Sequence, residues 1–150
     1  MKTFKTLILI SSLAGTAAFA QSAQLVNCPE GTILRNNEGL AIYCVKPSDG
    51  RLDTTPYVAL HKNGKIQAQG EFVNGNREGL WEYFDEEGRL TGTTNFKNDQ
   101  FDGKRAFFDK DGNLLEEQNW KAGNREGEWV KVEKGERKVR KFKADRLVTN

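Results

Sequence analysis

One histidine and two cysteines are all that this chain has of the residue types that build most metal centres and nucleophilic sites. His61, as a lone base, would need a nucleophile to activate. Cys28 and Cys44 are expected to be joined, so neither supplies one. The sequence has no phosphate-binding glycine loop, no dinucleotide fingerprint and no Ser-His-Asp order. Glu86-Glu87 and Glu116-Glu117 are adjacent pairs; on a strand, neighbouring side chains point to opposite faces and cannot converge as an acid–base couple. Asp109, Asp111 and Asn113 resemble the start of a calcium loop, but Gly112 comes too early and no distant glutamate completes the cage. The expectation is a protein that is not an enzyme, with no cofactor and no catalytic or metal-ligating residues.

Long apolar runs are missing as well, except at the start. Lys2 and Lys5 precede a largely apolar stretch from Leu7 to about Ala14, and Ala18-Phe19-Ala20 offers small residues for cleavage after Ala20. The stretch is shorter than the roughly 20 residues of a membrane span. Residues 1–20 therefore read as a signal peptide, and the chain as exported to a bacterial periplasm or beyond the cell. There a Cys28–Cys44 disulfide is expected, closing a short loop and contributing about 3 kcal/mol. The leader also explains the apparent basicity. It holds two lysines and no acid, so the 23 Lys+Arg and 21 Asp+Glu of the whole chain become 21 of each in residues 21–150. Charge thus gives no reason to expect a nucleic-acid partner, although eight basic residues crowd into 131–150.

What the chain does have is glycine and aromatic residues at a fixed interval. Gly79, Gly103 and Gly127 are 24 residues apart, as are Gly64, Gly88 and Gly112, and Phe72, Phe96 and Trp120. Gly75-Asn76-Arg77-Glu78-Gly79-Leu80-Trp81 returns two periods later as Gly123-Asn124-Arg125-Glu126-Gly127-Glu128-Trp129. Self-similarity of this kind marks repeat architectures. Blocks 55–78, 79–102, 103–126 and 127–150 each read as a β-hairpin. Leu80–Phe84 and Leu90–Phe96 are strands around a turn at Asp85–Arg89, while Asn63-Gly64 and Asp111-Gly112 supply positive-φ turn residues elsewhere. Gly75, Gly79, Gly103, Gly123 and Gly127 are expected to mark connections between hairpins. In the last block Gly135 is one residue off register. Residues 21–54 lie outside the register and read as an N-terminal cap, with Cys28–Thr32 and Ile42–Cys44 as strands. The expected fold is all-β, an antiparallel meander of stacked hairpins with a disulfide-clamped N-terminal hairpin.

The unit Gly79-Leu80-Trp81-Glu82-Tyr83-Phe84 with Gly88-Arg89-Leu90 resembles the MORN-variant repeat of the YwqK-type antitoxin family. Cys28-Pro29-Glu30-Gly31-Thr32 with Cys44 resembles the segment that precedes such repeats in exported bacterial proteins. Asp99 in place of a turn glycine and Arg105 in place of the aromatic of Gly-x-Trp depart from the pattern. The turns at 83–92 and 107–112 also look like choline- or glucan-binding cell-wall repeats, whose period is shorter. The resemblance implies a protein–protein interaction module of antitoxin or immunity type. The alternative is a binder of envelope glycan or anionic lipid. The candidate binding residues are Trp81, Tyr83, Phe84, Phe107, Phe108 and Trp129. A basic group for an anionic partner comprises Arg137, Lys138, Arg140, Lys141 and Lys143; edge protection against strand addition accounts for it equally well.

Overall fold

The computed structural model describes residues 26–38, 40–46 and 52–148; the leader expected at 1–20 lies outside them. The described residues form twelve strands and no helix: β1 (Ile33–Asn37), β2 (Ala41–Val45), β3 (Leu52–Leu60), β4 (Ile66–Val73), β5 (Asn76–Phe84), β6 (Leu90–Lys97), β7 (Gln100–Phe108), β8 (Leu114–Lys121), β9 (Asn124–Arg125), β10 (Gly127–Glu133), β11 (Glu136–Lys143) and β12 (Arg146–Leu147). All pair antiparallel in one sheet in chain order, with the short β9 beside β8 just ahead of β10. The fold is an all-β meander. Every substantial contact between elements is between strands paired in the sheet.

Each hairpin turn follows from its sequence. At 85–89 the Asp85 amide bonds the Arg89 carbonyl and the Gly88 amide bonds the Asp85 carbonyl; the same pair of bonds recurs at 61–65 and 109–113. Gly64, Gly88 and Gly112 take φ of 83°, 85° and 81° there, a conformation that costs a residue with a side chain. Asp85 and Asp109 each accept two backbone amides inside their own turns. In the same register His61 instead donates from Nε2 to the carbonyl of Phe84, the last residue of β5 before the next turn, 2.9 Å away. The connections between hairpins are two-residue turns with both residues at positive φ: Asn74-Gly75, Asn98-Asp99, Ala122-Gly123 and Ala144-Asp145. The last hairpin turns on Lys134-Gly135 alone, which is why Gly135 falls off register.

Two expectations require correction. Gly75 and Gly123 do sit in connections, but Gly79 and Gly103 lie inside strands and Gly127 opens one. Each belongs to a bulge in which the later strand has two residues more than its partner. One residue of β4 faces three of β5, one of β6 faces three of β7, and two of β8 face the four from Glu126 to Trp129, between Arg125 of β9 and Val130 of β10. The acid before each glycine serves the next turn. Glu78, Asp102 and Glu126 accept the first amide of the following connection, from Asn98, Ala122 and Ala144. The second correction concerns the cap. Residues 29–32 form a turn rather than a strand, and β1 begins at Ile33.

The Cys28–Cys44 disulfide is present and ties the segment before β1 to β2. Val26 then packs with Ile42, Cys44, Val58 and Leu60, with Cys28 and Ile66 against them. Where β2 bulges against β3, the Thr55 hydroxyl accepts the Cys44 amide and is fully buried.

The bulge glycines differ in ways that predict unequal costs of substitution. Gly79 has φ of 66° with open space around its absent side chain, whereas Gly103 has φ of 106° and Asn95 Cβ only 3.2 Å from where a methyl would stand. Gly79→Ala should lose about 1 to 2 kcal/mol from backbone strain alone. Gly103→Ala should lose more, and denaturant midpoints of the two variants will show that order if the bulges are as described.

Candidate functional site

Cross-strand partners share a face of a sheet, and neighbours along a strand alternate. The register Tyr57↔Gly70, Trp81↔Thr94, Arg105↔Gln118 and Trp129↔Arg140 therefore lies on one face, together with Phe72, Phe96, Trp120 and Phe142. The rings on this face form an unbroken ladder from β2 to β11. It runs Tyr43, Tyr57, Trp81, Phe96, Phe101, Trp120, Trp129, Phe142, with successive centroids 5.0–6.1 Å apart. Phe72 meets both Tyr57 and Trp81 edge-on. Such contacts are worth about 0.5–1.5 kcal/mol each beyond the area they bury.

Trp81 is 4% exposed, because its indole lies flat on Gly70, where a Cβ would sit 2.4 Å from the ring. The indole N–H donates to the Glu71 carbonyl at 3.2 Å, and Trp129 does the same to Asn119 at 2.9 Å. Arginines flank the ladder: Arg77 stacks 4.1 Å from the Phe96 centroid and Arg125 4.6 Å from Phe142. Both also bond an aspartate in the following connection, Arg77 to Asp99 and Arg125 to Asp145. That pairing explains Asp99 where the pattern has glycine.

The candidate binding residues separate by face. Trp81, Tyr83, Phe107 and Trp129 lie on the ladder face; Phe84 and Phe108, paired with Leu90 and Leu114, lie on the other. Tyr83, Phe84, Phe107, Phe108 and Trp129 are half-buried, while Leu80 is 53% exposed. The basic residues share β11 but split likewise. Lys138 and Arg140 face with the ladder, and Arg137, Lys141 and Lys143 lie opposite. Lys138 and Lys131 both grip Glu133, and their hydrogen bonds and charges hold its carboxyl at about 2. A shallow depression there is lined by Glu116, Trp129, Lys131, Glu133, Lys138 and Arg140. Among the described residues no group of three or more His, Cys, Asp or Glu is placed to hold a metal. Asp109 spends its carboxylate on the amides of its own turn rather than on a cation.

Residues 77–98 and 101–122 each match the family model described as MORN repeat variant. The chain carries MORN-variant repeats. Both matches begin ahead of the bulge glycine, at Arg77 and Phe101, and end on the first residue of a connecting turn. The natural unit of the MORN-variant sheet is thus a bulged strand, its hairpin turn and the return strand. No curated protein sequence matches the chain. Among solved structures it is similar to the pneumococcal O-GlcNAc transferase GtfA in complex with UDP and GlcNAc, at 18% identity and a TM-score of 0.40, covering 69% of this chain and 20% of that one. It is also similar to accessory secretory protein 1, 2 and 3 of Streptococcus pneumoniae, at 13% identity and a TM-score of 0.38, covering 79% of this chain and 20% of that one. The chain spans about a fifth of the length of these structures, and so distant a likeness carries no argument about function.

Sequence reasoning passed over several residues that organise this site. Gly70, the bed of Trp81, stands a full period before Thr94 and gives no glycine signal. Arg77 and Arg125 were visible only as part of the repeated heptamer.

The exposed ion pairs predict an acid-sensitive fold. Bonding to the Arg77 side chain, and at Asp145 to the Arg125 amide and side chain, holds both aspartates below the ordinary carboxylate range. Their folded values are depressed, so they stabilise the protein above the unfolded value of about 3.9 and that stabilisation is lost as pH falls through the folded values. Thermal midpoints should be flat from neutrality to about pH 4 and fall below it. Asp99→Asn with Asp145→Asn should lower the neutral plateau and make the acid fall shallower; an unchanged acid limb in that double variant would count against these pairs.

Proposed function

We propose that this chain is an exported, non-catalytic docking module for another protein, of antitoxin or immunity type. MORN repeats suggest a binding role. The observation that carries the reading is that Tyr83 and Phe107 flank Gly92 on the ladder face and remain half-buried. Rings in that state offer apolar area at low entropic cost, which is what protein interfaces select. Export is supported by the leader-like residues 1–20 and by the Cys28–Cys44 disulfide, which persists in oxidising compartments. No helix among the described residues is long and apolar enough to cross a membrane.

A second reading, binding of envelope glycan or anionic lipid, draws on β11. Of its five basic residues only Lys138 has an ion-pair partner among the described residues. The two readings separate in one experiment. Co-sedimentation with purified sacculi and with phosphatidylglycerol vesicles should retain nothing. A protein partner recovered by affinity capture should be lost from a Tyr83→Ser, Phe107→Ser variant that still unfolds cooperatively. Saturable retention on sacculi or vesicles, weakened by Arg140→Glu with Lys141→Glu, would overturn the docking reading in favour of the second.

A further inference from the structure

We propose that Arg105 is the anchor of the docking face, receiving an aspartate or glutamate side chain of the partner protein; this rests on the docking reading above. Register puts Arg105 in series with two tryptophans. In the repeats on either side the corresponding residue is Trp81 or Trp129, each capped on a backbone carbonyl. In the central repeat the residue is arginine. Its guanidinium lies between two rings of its own strand, 4.9 Å from the Phe101 centroid and 4.7 Å from that of Phe107. Its Nε is buried without a hydrogen-bond partner. No ion pair among the described residues compensates it.

No neighbouring group bonds its Nε, and several of them are engaged elsewhere. Gln118, its cross-strand partner, gives its amide N–H to Glu116 and accepts the Trp120 indole N–H. Glu117 takes Lys104 on the opposite face, and Asp102 caps Ala122. Arg77 and Arg125 show what the fold does with an arginine it keeps for itself: each stacks on a ring and also binds an aspartate. Arg105 has the rings and lacks the carboxylate. The fold thus spends none of this guanidinium's donors, and because the residue is only half-buried its two terminal nitrogens are the ones left to meet a partner. A planar cation held between aromatic faces is the arrangement that recognises a carboxylate with two parallel hydrogen bonds. Tyr83 and Phe107, beside Gly92, give the partner's adjoining side chains an apolar surface.

The test uses the blocked peptide acetyl-Phe-Glu-Phe-amide and its glutamine counterpart, titrated into the 15N-labelled full chain. The glutamate peptide should shift the Arg105 Nε–H signal and bind about ten-fold more tightly than the glutamine peptide. Arg105→Met, which keeps the packing against Phe101 and Phe107, and Arg105→Trp, which restores the repeat residue, should both abolish that preference. Arg105→Trp should unfold at the same temperature or higher. Equal affinities, absence of binding, or a preference that survives in Arg105→Met overturns the proposal. So does a Glu116→Gln variant that moves the Arg105 signal without peptide, because the guanidinium would then be paired internally. If Arg105→Met still captures the protein partner while the Tyr83→Ser, Phe107→Ser variant does not, the anchor is wrong and the docking face stands. If neither variant loses the partner, both fall.

Discussion

Two extra residues in three of the four repeats, placed at Gly79, Gly103 and Gly127, are the constraint on which the rest of the sheet depends. A bulge bends its strand and strengthens the local twist. Here it also turns Trp81 and Trp129 back over the preceding strand, within reach of a carbonyl there. Glycine supplies the positive φ, and the acid before it holds the next connecting turn. One dipeptide therefore shapes a strand and fixes the entry to the next hairpin. Because the contacts run between strands paired in the sheet, the structure is close to one-dimensional, with stability set by each repeat and its neighbours.

A sheet of this kind must stabilise itself within its own plane. The aromatic ladder meets that need on one face, each ring covering the next, while the arginines at its border bind both a ring and a carboxylate. The other face is covered at the N-terminal end by the segment that the disulfide holds to β2. Of the three arginines stacked on rings, Arg105 is the one that the fold leaves without an anion, among the described residues. A local exception to a repeating pattern is where function is expected to depart from stability.

Much of this was legible in the sequence. The 24-residue interval, the Asp-x-x-Gly hairpin turns and the meander follow from turn chemistry and alternation, both local properties. The roles of Gly79, Gly103 and Gly127 were not legible as a break or a bulge, because glycine at positive φ serves either. The acid before each glycine was the available signal: a capping carboxylate belongs beside a turn, not within it. Cys28–Thr32 read as a strand clamped by the disulfide to the strand of Cys44, yet a disulfide joins any two segments whose geometry permits it. The division of Phe84 and Phe108 from Tyr83 and Phe107 did follow from alternation. That Arg105 lacks a partner depends on how Gln118 and Glu116 use their hydrogen bonds, which no one-dimensional pattern records.

The central claim is that the bulges lock the tryptophans across the sheet. Hydrogen exchange of the indole N–H groups, followed by NMR, tests it most directly. The account predicts that Trp81 and Trp129 indole protons exchange only as their own repeats open, as slowly as the backbone amides of β5 and β10. Exchange at the rate of free indole, while those amides stay protected, would contradict it.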